Sequence, residues 1–352
     1  DFSTPWSIRK TAVNTLERKK IIYGANKGIE PLRDAICTYI NKKYGVQYNS
    51  DDEIIVTVGG SEAIDLAIRA LVDVGDEVLV VEPSFVCYAP LVELAGGVAV
   101  SVPTKIENNF KLTPEDLEGK ITEKTKLLIL PFPNNPTGAV MTKEDLEKIA
   151  DVLRDTNIIV LSDEIYSELT YGRKHYSIIQ IDGMRERTIY VNGFSKAYAM
   201  TGWRLGYLTA PEEIVSQLVK IHQYGIMCSP FISQNAAIEA LNSCDNEVKK
   251  MVEEYDTRRR FLVKEFNRIG LECFNPEGAF YVFPCIRSTG LTSEEFCEEL
   301  LNDQKVACVP GTAFGDAGEG FIRVSYAYSL EELKIATEKI KLFLDNLKNR
   351  SH

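Results

Sequence analysis

The chain has 352 residues, 45% of them hydrophobic, a length that favours a large domain plus a smaller one over a single core. Its 40 Lys+Arg face 51 Asp+Glu, a formal net charge of −11, which argues against a polyanion-binding surface and against a nucleic acid partner. No apolar run approaches the roughly 20 residues needed to span a bilayer, so no membrane span is expected.

Taken in chain order, β-branched and apolar runs alternate with amphipathic helical patterns from about residue 51 to 210, the sign of an α/β fold with a mostly parallel sheet. Each run ends in polar punctuation. Residues 54–58 lead into Gly59-Gly60-Ser61-Glu62, which opens a helical pattern over 63–71. Glycines at a helix start, with free backbone N–H groups and a favourable dipole, form a cradle for an anion. Residues 77–81 lead into Glu82-Pro83-Ser84-Phe85, and residues 126–130 into Pro131 and then Asn134-Asn135-Pro136-Thr137-Gly138. Residues 157–162 lead into Asp163-Glu164-Ile165-Tyr166, and residues 188–192 into Gly193-Phe194-Ser195-Lys196. In an open α/β sheet the carboxyl ends of the strands share one rim, where ligands bind. Ser61, Phe85, Asn135, Asp163, Tyr166, Lys196 and Arg204 are therefore expected in one cleft.

Residues 211–241 read as helical and form a connection. Beyond them, helical patterns over 249–269, 293–301 and 330–347 alternate with extended segments at 279–283 and 320–326, a smaller α+β domain. The expected partition is a large domain over 12–245 and a small one made of 1–11 and 246–352. No repeat or low-complexity tract interrupts it.

Lys196 is the most informative residue. An ammonium at the end of an apolar strand either reaches water or has its pKa lowered until it is a usable amine, as in a Schiff-base lysine. The eight cysteines form no Cys-x-x-Cys pair and sit mostly among apolar residues, which reads as reduced packing residues and a cytoplasmic location. The chain begins at Asp1 without a methionine, so an upstream targeting segment would not be visible. His175, His222 and His352 lack ligand spacing, so no metal and no Ser-His-Asp triad is indicated. The basic run Arg258-Arg259-Arg260 lies in a charged helical pattern and is expected to be a solvated face.

Taken singly, each of these residues has a bland explanation. A lysine can snorkel, Asp163 can cap a helix, Asn135-Pro136 can be a turn, and Phe85 or Tyr166 can be core aromatics. Their joint order is what is specific. With Tyr23-Gly24, Gly28-Ile29-Glu30-Pro31-Leu32-Arg33, Met200-Thr201-Gly202-Trp203-Arg204-Leu205-Gly206-Tyr207, Pro310-Gly311, Phe314-Gly315 and Arg323, the chain resembles the class I/II pyridoxal-phosphate-dependent aminotransferases of fold type I along almost its whole length.

The resemblance implies a fold type I transferase using pyridoxal 5′-phosphate, moving an amino group from an L-amino acid to a 2-oxo acid by a ping-pong cycle through a Lys196 aldimine. It implies that Lys196, Asp163 and Tyr166 are catalytic, with Asp163 on the ring nitrogen and Asn135 and Tyr166 on the ring oxygen. Phe85 would stack on the ring, while Ser61, Glu62 (through its backbone N–H), Ser195 and Arg204 would hold the phosphate. Arg323, with Asn135, would bind the substrate carboxylate, and Tyr23 would reach the phosphate of the neighbouring subunit in a homodimer. Phe85 stands where some relatives have tryptophan. Ser61 stands where some aspartate aminotransferases have a lysine for the distal carboxylate, which favours an aromatic or other apolar donor over strict aspartate use. A β-lyase on the same fold uses the same residues and is the alternative, and the cofactor-binding part of a transcription regulator would need a DNA-binding segment that these residues do not contain.

Overall fold

The computed structural model describes residues 2–350; Asp1, Ser351 and His352, which the sequence reading assigns to the small domain, lie outside them. Helices α1 (Trp6–Arg18) and α2 (Glu30–Tyr44) precede β1 (Ile54–Thr57), α3 (Gly59–Leu71), β2 (Glu77–Glu82), α4 (Tyr88–Leu94) and β3 (Val98–Pro103). Then come α5 (Pro114–Glu118), β4 (Thr125–Leu130), α6 (Lys143–Leu153), β5 (Ile159–Asp163), β6 (Thr188–Gly193) and β7 (Gly206–Thr209). Helices α7 (Glu212–Gly225), α8 (Phe231–Ser243) and α9 (Asp245–Arg268) lead to β8 (Tyr281–Val282), α10 (Ser293–Gln304), β9 (Val309–Pro310), β10 (Ile322–Ser325) and α11 (Leu330–Arg350).

Seven strands form one sheet in the order β1-β7-β6-β5-β4-β2-β3. β2, β3, β4, β5 and β6 run parallel, whereas β7 is antiparallel to both of its neighbours, β1 and β6. β6 is buried along its whole length and β5 along all but its first residue, which is why they read as continuous apolar runs. Helix α3 buries Ala63, Ile64, Leu66, Ala67 and Ile68 against one face of this sheet. At roughly 1.5–3 kcal/mol for each fully buried large side chain, that stripe holds the helix start in register with the strand ends. The Thr142 capping box fixes the start of α6 in the same layer system.

A second sheet, β8-β10-β9, is antiparallel and packs with α9, α10 and α11 around Leu262, Phe266, Phe296, Leu300 and Phe343. Phe283, Phe314 and Phe321 reach from this part into the core that contains Leu79, Leu128 and Val160 of the large sheet. The two sheets are thus joined by buried aromatics rather than by a flexible tether.

Three readings need correction. The extended segments expected at 279–283 and 320–326 shrink to β8 and β10: Ala279, at φ +58°, and Phe280 form a turn, and β10 pairs over four residues, two with β8 and two with β9. The crossover from β5 to β6 carries short 3₁₀ turns at Ile178–Gln180 and Arg185–Arg187 rather than an α-helix. Finally, the basic run is not a solvated face: Arg258 and Arg259 are buried. Arg258 Nε donates to Glu254, and Arg259 donates to Asp256, Asn275 and the Pro276 carbonyl. Only Arg260 of the three is largely exposed.

Candidate active site

Strand ends deliver the polar residues to one rim. A cavity of about 350 Å³ opens there, and Ser61, Phe85, Asn135, Asp163, Tyr166, Ser195, Lys196, Arg204 and Arg323 all line it. Its charged groups are three cations, Lys196, Arg204 and Arg323, against one carboxylate, Asp163. Such a wall suits a ligand that brings several negative charges.

One end of the cavity is a helix start. Gly59 holds φ at +75°, a conformation that L side chains rarely adopt, and a Cβ there would lie 2.6 Å from Arg204 Nη2. A Cβ on Gly206 would lie 2.6 Å from the Gly59 carbonyl carbon, so β7 presses directly against the turn. Arg204 is itself left-handed at φ +50°, and its Nη1 donates to the Thr201 carbonyl at 3.1 Å. The first-turn N–H groups of α3 thus sit beside a guanidinium, the donor set a phosphate requires.

Asp163 ends β5 at the floor. Its Oδ2 accepts from the Tyr88 hydroxyl at 2.7 Å and its Oδ1 from the Ile165 N–H at 3.1 Å. Burial pushes the Asp163 carboxyl above the usual carboxylate range, while those hydrogen bonds and Lys196 oppose the rise. Lys196 follows β6. Its Nζ lies 5.6 Å from the Tyr166 ring and 5.5 Å from the Phe280 ring. Loss of hydration lowers its pKa from the ordinary lysine value; Asp163 opposes this, and Arg323 and Arg204 add to it. A lysine so placed is nearer to a free amine than one in water.

Arg323, on β10, donates from Nη1 to Asn135 Oδ1 at 2.9 Å, and its guanidinium lies 4.5 Å from the Tyr281 ring centroid and 4.8 Å from that of Phe314. Its Nε is buried with no hydrogen-bond partner among the described residues. An unmet donor of that kind, on a guanidinium held close to two rings, is prepared for a carboxylate. Asn135 is steadied by its neighbour: Asn134 Oδ1 accepts from the Thr137 N–H at 3.0 Å and from its hydroxyl at 2.8 Å.

Two expected site residues, Tyr23, assigned to the neighbouring subunit's site, and Glu62, assigned through its backbone N–H, do not line this cavity. Tyr23 is 80% exposed and outside the cavity. The Glu62 side chain points away from the cavity, accepting from the Val58 N–H and facing His222 Nδ1 at 2.6 Å. The Tyr166 hydroxyl, expected on a ring oxygen, pairs with the Tyr281 hydroxyl at 3.1 Å. Burial, then Tyr281, raises the Tyr166 phenol well above its ordinary pKa, so it stays a protonated donor. Tyr88 and Tyr281 were missed by sequence reasoning. Both sit in apolar runs, and only their tertiary partners mark them.

The profile of the family described as "Aminotransferase class I and II" matches residues 2–340. The chain belongs to this family. It is 46% identical over 347 residues to an aspartate aminotransferase of Pyrococcus abyssi, covering 98% of this chain and 89% of that protein. It is 44% identical over 351 residues to aromatic-amino-acid aminotransferase 2 of Thermococcus litoralis, covering 99% and 90%. The crystal structure of an aromatic aminotransferase from Pyrococcus horikoshii superposes with a TM-score of 0.97 at 46% identity, covering 99% of this chain and 94% of that one. This aminotransferase is a pyridoxal 5′-phosphate-dependent transaminase. The residues present fit that cofactor: a phosphate cradle at α3, an amine of lowered pKa in the middle and a buried carboxylate on the floor.

Proposed function

We propose that Lys196 is the amine to which the cofactor is attached and the base that moves the substrate's α-proton, with Asp163 and Tyr166 as its catalytic partners. Bound pyridoxal phosphate supplies a carbonyl that condenses with amines and a conjugated ring that accepts the electrons of a breaking Cα–H bond. Everything else is work for this chain. Arg204, Ser195, Ser61 and the first-turn N–H groups through Glu62 bind the phosphate. Asp163 holds a proton at the ring nitrogen, and Phe85 packs on the ring. Asn135 and the protonated Tyr166 hydroxyl donate to the ring oxygen. Arg323 grips the substrate carboxylate and so orients the Cα–H bond toward Lys196 Nζ. The observation that carries this reading is the lowered-pKa lysine between a phosphate cradle and an unmet arginine donor.

The three cations of the cavity all have roles in this scheme, so none among the described residues lining it is left for a side-chain carboxylate. Phe85, Ile165, Tyr166 and Tyr281 line the same space. These features support an aromatic or other apolar amino acid as donor, exchanged with a 2-oxo acid by a ping-pong cycle.

The active unit in this proposal is a homodimer. Trp6, Ile22, Tyr23 and Tyr224 are 63%, 62%, 80% and 86% exposed, large apolar side chains that a second copy would cover, bringing Tyr23 to the neighbour's phosphate. The division into a large domain, 12–245, and a small one, 1–11 and 246–352, belongs to the same reading, as does a cytoplasmic location, which the eight free cysteines support. No helix among the described residues is long and apolar enough to cross a membrane.

The deciding experiment mixes holoenzyme with candidate donors and 2-oxoglutarate or pyruvate, following cofactor absorbance and release of the 2-oxo acid, with Lys196→Ala as control. Turnover with phenylalanine or tyrosine well above that with aspartate is expected. Undiminished turnover in the Lys196→Ala protein would refute the role given to Lys196, and thiol and pyruvate release without an acceptor would instead favour lyase chemistry.

A further inference from the structure

Behind the phosphate cradle lies a polar chain that the scheme above does not use. His222, on α7, is fully buried. Its Nδ1 lies 2.6 Å from Glu62 Oε1 and its Nε2 lies 2.8 Å from the Asn26 carbonyl oxygen. A carbonyl only accepts, so Nε2 carries a hydrogen. The Nδ1 contact then needs a second proton, held by the ring or by the carboxyl, because two bare lone pairs would repel at that distance. Glu62 Oε2 meanwhile accepts from the N–H of Val58, the residue preceding α3.

The other end of the chain is equally fixed. Asn26 Nδ2 donates to the Met227 carbonyl at 2.9 Å, and the Ile29 N–H donates to Gln234 Oε1 at 2.8 Å. Tyr23 stands just upstream, at the exposed end of the same loop. One imidazole therefore joins the helix start on one side and the Tyr23 loop on the other, without lining the cavity itself.

We propose that His222 is a positioning residue for phosphate recognition: through Glu62 it fixes the start of α3, and through Asn26 it fixes the loop that presents Tyr23 to the second subunit. Removing the imidazole leaves the Glu62 carboxylate and the Asn26 carbonyl without their buried partner, so the carboxylate turns toward water and releases the Val58 N–H. The cradle loosens, and the loss falls on the phosphate rather than on the ring. This inference rests on the reading of Gly59 to Glu62 and Arg204 as the phosphate site.

The test compares pyridoxal phosphate with pyridoxal, which lacks the phosphate, by equilibrium dialysis against the full chain stripped of cofactor. The ratio of the two dissociation constants measures phosphate recognition, and a merely structural lesion lowers both affinities together. In His222→Ala the ratio is expected to fall at least tenfold. Val215→Ala, which trims a buried residue two turns earlier on α7, should leave it within twofold. A ratio within twofold of wild type in His222→Ala, or an equal fall in Val215→Ala, overturns the proposal. Arg204→Gln separates the two levels: an unchanged ratio there overturns the cradle reading together with this inference, whereas a collapse there beside an unchanged His222→Ala overturns the inference alone. Should His222→Ala not fold, Glu62 carries the test. A glutamine at 62 can donate to Nδ1 and accept from the Val58 N–H, and an alanine cannot. A ratio at least fivefold higher in Glu62→Gln than in Glu62→Ala supports the positioning role, and equal ratios overturn it.

Discussion

Arg323→Lys keeps the positive charge in the cavity and removes everything else that distinguishes the guanidinium. Arg323 lies close to the Tyr281 and Phe314 rings with Nη1 on Asn135 and Nε unmet. An ammonium can make a single directed contact with a carboxylate where the planar fork makes two. Losing one hydrogen bond to a charged group costs about 1.5–3 kcal/mol. The contacts with the two rings exist before substrate arrives and so cancel from kcat/KM. The loss of about 1.5–3 kcal/mol corresponds to a fall of roughly 13- to 160-fold in kcat/KM, at about 1.36 kcal/mol per tenfold. Steady-state kinetics at saturating cofactor should show the amino acid KM rising, while the cofactor dissociation constant stays near that of the unaltered protein. A fall in kcat/KM of less than tenfold, or a loss of cofactor affinity of the same size, would refute the carboxylate role.

Lys196→Met should stabilise the cofactor-free protein at neutral pH. Because the lysine pKa is lowered on folding, the unfolded chain binds the extra proton between that lowered value and 10.5, and stability rises with pH across the window. The advantage of the methionine variant, followed by thermal melting, should therefore shrink as pH approaches 10.5. Tyr88→Phe removes a hydroxyl that holds the Asp163 pKa down, so the carboxyl should rise further. In the cofactor-free protein an acid raised on folding costs stability as pH climbs from 3.8 through its folded pKa, and melting curves of this variant should show that loss extending to higher pH. Gly206→Ala puts a Cβ 2.6 Å from the Gly59 carbonyl carbon, so backbone must move; about 1–3 kcal/mol of stability and much of the cofactor affinity should go together in denaturation and dialysis.

The parallel part of the sheet was legible because β4, β5 and β6 are buried on both faces and so carry unbroken apolar runs that end in polar turns. The antiparallel sense of β7 was not, since its short run looks like any buried strand and its direction is set by the loop over residues 194–205, which brings Gly206 back opposite Gly193. Lys196, Asp163, Asn135 and Arg323 were readable from their motifs. Tyr88 and Tyr281 were not, because a tyrosine in an apolar run carries no local sign of the hydroxyl partner it will meet. The same holds for Glu62 and His222, whose contact spans 160 positions. Arg258 and Arg259 misled for the opposite reason: neighbouring acids suggested solvent, yet those acids and two carbonyls pair with them inside.

β7 lies between β1 and β6, and so it fastens the turn at Gly59 to the loop that carries both Lys196 and Arg204. The anchoring groups come from distant stretches of chain and meet only where that strand is zipped in on both sides. Whatever occupies the anchor therefore acts as a clasp across the seam, and by mass action its loading should shield the β1 and β7 amides from hydrogen exchange more than those of β3 at the far margin.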